Sequence, residues 1–94
     1  MQLEVVTPMR VCLDRAVRRV VAEGPDGHFG ILPGHGDFVT ELVPGILVFE
    51  PDEGGERFVA VNAGTLVKCG VHVRVAARRA IEGDDLGRLR ARVE

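Results

Sequence analysis

Five side chains of this chain are of the types that nucleophilic or metal chemistry draws on: Cys12, Cys69, His28, His35 and His72. A Cys–His dyad needs one thiol beside one imidazole, because the ring must take the proton before the sulfur can attack. Nothing in the spacing marks such a pair, since Cys12 falls within an extended segment and Cys69 at a turn. Other nucleophiles are scarce: the chain has no Ser, Tyr or Trp and a single Lys, Lys68. Metal-ligand spacings are missing too, with no H-x-x-x-H, C-x-x-C or acidic calcium loop. The glycine-rich stretch 24–34 lacks G-x-x-x-x-G-K-T and precedes no helical pattern, so its glycines read as turn geometry and not as a phosphate cradle. The residues therefore argue against catalysis and against a resident metal, nucleotide or other cofactor, and both cysteines read as small buried hydrophobes.

The elements that hold these side chains are set by composition. A chain of 94 residues has room for one core. Apolar residues make up 46% of it and aromatic residues only 4%, and the sixteen valines point to an aliphatic, β-branched core built from strands. A formal charge of −2 gives no electrostatic case for nucleic acid. The longest apolar runs are far shorter than the roughly 20 residues a helical membrane span needs. No leader pattern opens the chain, so a soluble cytosolic protein is expected, one able to meet a membrane complex from the side.

Short extended segments recur about every 8 to 12 residues between turn formers, the spacing of a sandwich or barrel. Segments are expected at 2–6, 10–14, 16–23, 45–50, 57–62 and 65–68. Residues 45–50 are mostly apolar, which suits a strand covered on both faces. In 71–75 the alternation is clearest, with Val71, Val73 and Val75 expected inward and His72 and Arg74 outward. A slip of one residue there would bury Arg74, so the register should be firmly fixed. Pro33-Gly34 and Pro44-Gly45 each suit the central positions of a type II turn. After Gly83 the period changes: Asp84 or Asp85 can cap a helix in which Leu86, Leu89 and Val93 share a face.

Read as a whole, Gly27-His28-Phe29-Gly30-Ile31-Leu32-Pro33-Gly34-His35 followed by Thr40-Glu41-Leu42-Val43-Pro44-Gly45-Ile46-Leu47 resembles the G-x-F/L-G-I-x-P-G-H…T-x-L-x-P-G-x-L signature of the epsilon subunit of F-type ATP synthases. The likeness runs from Leu3 to Leu86, and Val67-Lys68-Cys69-Gly70 resembles the alternate, N-type branch, some members of which are thought to move Na⁺ in place of H⁺. It implies an all-β fold, a flattened sandwich of about ten short strands over residues 1–83. Residues 84–94 would then begin a C-terminal helical segment.

The resemblance also implies a non-catalytic subunit of the central stalk, at the cytoplasmic face of the bacterial inner membrane. Its partners would be the gamma subunit, the polar loops of the c-ring and, through gamma, the catalytic head. His28, Phe29 and Gly30 are expected at the c-ring, with His28 standing where relatives often have Glu. Pro33, Gly34 and His35 are expected to face gamma. After that turn His35-Gly36-Asp37-Phe38 departs from the usual Pro-Gly-His-Ala-Pro-Leu, so the following loop should be shaped differently. In the ATP-binding element of some relatives, I/L-D-x-x-R-A, this chain matches at Leu86, Arg90 and Ala91 but has Gly87 for the Asp, so no tight ATP binding is expected. The competing class is a free-standing β-sandwich that binds a small ligand or another protein. A concave pocket with converging polar groups would mark it, and a nearby Cys–His pair would revive an enzyme.

Overall fold

Alternating burial along the chain has the period of two that a strand with one wet and one dry face requires. The computed structural model describes residues 1–83, and these form nine strands. The helical pattern and the 86–91 element lie outside the described residues. The strands are β1 (Gln2–Val6), β2 (Val11–Gly24), β3 (Gly27–Ile31), β4 (Phe38–Leu42), β5 (Gly45–Pro51), β6 (Arg57–Val61), β7 (Gly64–Cys69), β8 (His72–Ala77) and β9 (Ala80–Gly83). Two sheets share β2. The first runs β4-β7-β8-β1-β2 and the second β3-β2-β5-β6-β9. All neighbours are antiparallel except β1 and β8, which run parallel.

The segments expected at 10–14 and 16–23 are one strand of 14 residues, and a bulge lets it serve both sheets. Leu13 and Val17 point inward in its first half, Val20 and Ala22 in its second. That change of phase falls where Val17 faces Pro51 and Arg19 faces Glu50, which leaves Arg18 as the extra residue. The Arg18 guanidinium donates to the carbonyls of Pro51, at 3.4 Å, and Asp52, at 2.6 Å, and so ties the β5–β6 hairpin across the bend.

Apolar side chains from both sheets meet between them. Leu3, Val5, Leu66, Val73 and Val75 come from the first sheet, Val20, Ile31, Leu47, Phe49 and Val59 from the second, all essentially out of contact with water. Val73 and Val75 are inward and Arg74 outward as expected. Val71 is not inward: it is 59% exposed, because it sits in the β7–β8 turn and the strand begins only at His72. In that turn Gly70 has φ 59° and no other residue type takes a positive φ, the pattern of a type II′ hairpin.

The two Pro-Gly pairs do not form type II turns, whose third residue needs φ > 0. Neither Gly34 nor Gly45 has positive φ. At the first pair the His35 amide donates to the Leu32 carbonyl at 2.9 Å, closing a turn of the type I class. At the second, Gly45 already belongs to β5 and lies against Glu23, where a Cβ would come within 2.9 Å of Oε1.

Candidate partner-binding surfaces

Strand β3 separates the two groups of residues singled out from sequence. His28, Phe29 and Gly30 lie in the strand just after the β2–β3 hairpin, whereas Pro33, Gly34 and His35 form the turn beyond its far end. Within the strand the pleat divides them again. His28 and Gly30 face outward and are exposed, and Phe29 faces the core and is half-buried. His28 stands directly opposite Glu23, its Nε2 3.5 Å from Oε1. Phe29 meets Phe38 edge to face, with centroids 5.9 Å apart, the geometry favoured by the aromatic quadrupole. Phe38 also carries the His35 ring at 4.9 Å, while His35 Nδ1 lies 2.9 Å from the Gly36 carbonyl. Leu32, next to the turn, is 55% exposed.

A second feature joins the outward side of β3. On the outer face of the same sheet, Val21, Ile46, Val48, Phe58 and Ile81 are half-buried, and Ala60 between them is buried although it points away from the core. Cross-strand neighbours Val21–Val48, Val48–Phe58, Ile46–Ala60 and Ala60–Ile81 make this one stripe over β2, β5, β6 and β9. An isolated sheet ordinarily shows water a polar face. The apolar run of β5 is thus explained from both sides: Leu47 and Phe49 enter the core, Ile46 and Val48 the stripe.

Possible chemical sites are thin. The fold does place a Cys–His pair that spacing did not flag, since Cys69 and His72 face each other across the two-residue β7–β8 hairpin. Both are exposed, and Cys69 is not the buried hydrophobe expected, because it ends its strand on the outward side; Cys12 is half-buried against the core. Among the described residues no hydrogen bond joins the pair and none ties the His72 ring to a third group, the orienting bond that marks an activated dyad. Beside it, a groove of about 670 Å³ on the outer face of the first sheet is lined by Gln2, Glu4, Asp14, His72 and Arg74 among others. Its charges are turned on one another and not on a guest: Arg74 Nε lies 2.9 Å from Glu4 Oε1, and Gln2 donates to Asp14 at 2.6 Å. Among the described residues no three His, Cys, Asp or Glu side chains converge as metal ligands.

One residue was missed. Lys68, the sole lysine, is 1% exposed, and its Nζ donates to the carbonyls of His35 at 2.8 Å and Gly70 at 2.5 Å. The signal was present in the alternation, since a strand that buries Leu66 must also point residue 68 inward.

The family described as "ATP synthase, Delta/Epsilon chain, beta-sandwich domain" matches residues 1–83. The chain is 41% identical over 91 residues to "ATP synthase epsilon chain 2" of Cereibacter sphaeroides, covering 95% of this chain and 62% of that protein. It is 40% identical over 96 residues to the protein of the same name in Paraburkholderia xenovorans, covering 100% and 69%. The chain therefore spans about two-thirds of the length of these relatives. Among solved structures it is similar to a chain of the mitochondrial ATP synthase OSCP/F1/c-ring assembly of Euglena gracilis, with a TM-score of 0.80 at 23% identity over 85% of this chain and 51% of that one. A chain of the central stalk and c-ring of the Tetrahymena thermophila mitochondrial enzyme gives a TM-score of 0.70 at 15% identity, covering 86% and 65%. At those identities the likeness is one of fold.

Proposed function

This chain belongs to the family of ATP synthase delta/epsilon-chain β-sandwich domains, and from that premise we propose that it is a non-catalytic rotor subunit of an F-type ATP synthase. It couples the rotation of the c-ring to the catalytic head through gamma, on the cytoplasmic face of a bacterial inner membrane, making and breaking no covalent bond. Residues 1–83 are the working sandwich. His28 and Gly30 meet the polar loops of the c-ring, with Phe29 bracing them from the core side. Pro33, Gly34 and His35 face gamma.

The observation that carries this reading is the apolar stripe of Val21, Ile46, Val48, Phe58, Ala60 and Ile81. A contiguous apolar surface on a small domain marks an interface. Polar ring loops are poor cover for it, so the stripe belongs against gamma. The competing ligand-binding module draws no support from the groove on the other sheet, where Glu4, Asp14 and Arg74 are already satisfied.

Co-expression with the cognate gamma subunit, followed by size exclusion, tests the assignment. One-to-one co-elution is expected for the natural chain and loss of it for Val48→Asp. His28→Ala is expected to keep its fold and its gamma while assembling less with c-rings. A natural chain that ignores gamma would sink the proposal, and c-ring assembly untouched by His28→Ala would remove that residue from the contact.

A further inference from the structure

An amino group placed inside an aliphatic core costs free energy unless its N–H donors are satisfied. Lys68 meets that cost in a particular way. Its neighbours across the sheet on the inward face are Phe38 on β4 and Val73 on β8, so the stem runs through apolar surroundings. Its Nζ then emerges between two loops and holds one carbonyl from each: His35 of the β3–β4 loop and Gly70 of the β7–β8 turn. A second bond runs between the same loops, from the Gly70 amide to Asp37 Oδ1 at 2.8 Å. Gly70 is therefore held through both its N–H and its C=O, and the β3–β4 loop through His35 and Asp37.

Without these ties the loop has little to fix it. Pro33, Gly34, His35, Gly36 and Asp37 are all exposed. Besides the latch, the turn closure from His35 to Leu32 and the His35–Phe38 ring contact are what hold it. A leucine at 68 would suit the apolar surroundings of the stem and leave the His35 and Gly70 carbonyls without the Nζ donor.

We propose that Lys68 is a positioning residue for gamma recognition: together with Asp37 it latches the β3–β4 loop to the β7–β8 turn and so presents Pro33, Gly34 and His35 in the shape that gamma binds. This rests on the gamma assignment made above for that turn. A loop ordered beforehand binds more tightly because its conformational entropy has been lost before the encounter.

The test is Lys68→Met, which keeps the length of the stem and removes the donors, with Asp37→Ala as an independent variant that cuts the other tie while leaving the core untouched. Each is measured in the full chain for gamma affinity, for c-ring affinity and for amide hydrogen exchange. Both variants are expected to bind gamma roughly tenfold more weakly, the effect of about one net hydrogen bond or more. Binding to c-rings through the His28 end should be unchanged. Exchange should accelerate at residues 34–37 and 69–71 and nowhere else. Gamma affinity equal to that of the natural chain in both variants would overturn the inference, as would equal losses toward gamma and ring together with faster exchange throughout the sandwich, the mark of a merely structural lysine. If the unaltered chain fails to bind gamma, the functional reading falls and takes this inference with it; if the unaltered chain binds gamma and both variants bind it equally tightly, the inference falls alone.

Discussion

Gly64→Ala probes how rigidly the sandwich is built, because the position opens β7 between two neighbours, facing Leu42 on β4 and Ala77 on β8. A Cβ there would lie 3.1 Å from Ala77 Cα and 3.2 Å from the Ala76 carbonyl carbon, and closer still to the Ala76 oxygen. These are backbone atoms and cannot rotate away. Nor can β8 retreat, since its other edge is paired with β1 through Val6 and Ala76. Relief must come from peeling the start of β7 off the sheet. That loosens about two ladder hydrogen bonds at about 1 kcal/mol each, and partly exposes Leu42 and Ala77 for about another 1 kcal/mol. The expected loss is about 3 kcal/mol, a large share of the roughly 5–15 kcal/mol that holds a small domain together. In a chain of this size that lowers Tm by about 12–24 °C. Gly36→Ala is the control, as no atom lies within 4 Å of its Cβ and its φ is not positive. Thermal melts followed by circular dichroism should separate the two widely. A Gly64→Ala variant within about 1 kcal/mol of the natural chain would show that the β7–β8 spacing yields easily and would refute the reasoning.

Two further outcomes follow from burial and exposure. Phe49 is the largest fully buried side chain, so Phe49→Ala should cost about 3–5 kcal/mol in denaturant unfolding. The Glu4–Arg74 pair lies on the surface, with side chains 32% and 65% exposed, so a double-mutant cycle should return a coupling of less than about 1 kcal/mol that shrinks further in high salt.

Much of this architecture was legible because single residues left it no choice. Val73, Arg74 and Val75 admit one register, and β8 adopts it. The mostly apolar run of β5 has its reason on both faces, since Leu47 and Phe49 enter the core and the half-buried Ile46 and Val48 belong to the stripe. What escaped has physical causes as well. Arg18 is polar and outward whether or not it is the extra residue, so the bulge that fuses two expected segments has no compositional mark. Pro-Gly fixes φ at the proline but leaves glycine free to take either sign, and the fold chose the negative one at Gly34 and Gly45. Cys69 and His72 became partners only through the turn between them, a tertiary fact about two residues that look unrelated in the chain. Lys68 was hidden by the ordinary expectation that lysine lies in water.

The bulge in β2 links these findings. Before it the odd-numbered residues are inward and after it the even-numbered ones, so the outward positions Val21 and Glu23 belong to the half of the strand that follows the bulge. Glu23 stands opposite His28 and Val21 opposite Gly30, so the proposed c-ring contact and one edge of the apolar stripe both lie on the half of β2 beyond the bend. Deleting Arg18 isolates the effect. Val17 and Val20 would then be two residues apart and both inward, and the pairing of Val17 with Pro51 and Arg19 with Glu50 would become continuous. Every face is preserved. What disappears is the bend and extra twist that a bulge supplies, together with the guanidinium tie to the Pro51 and Asp52 carbonyls. If the bulge exists to carry one strand from sheet to sheet, the deletion should give a chain that still folds with native strand content but melts at least several degrees lower, with proteolysis beginning in the loop at residues 52–56. A deletion variant as stable as the natural chain would mean that the sandwich turns its corner without the bulge, and that Arg18 merely decorates a bend already set by the packing of Val17, Val20 and Phe49.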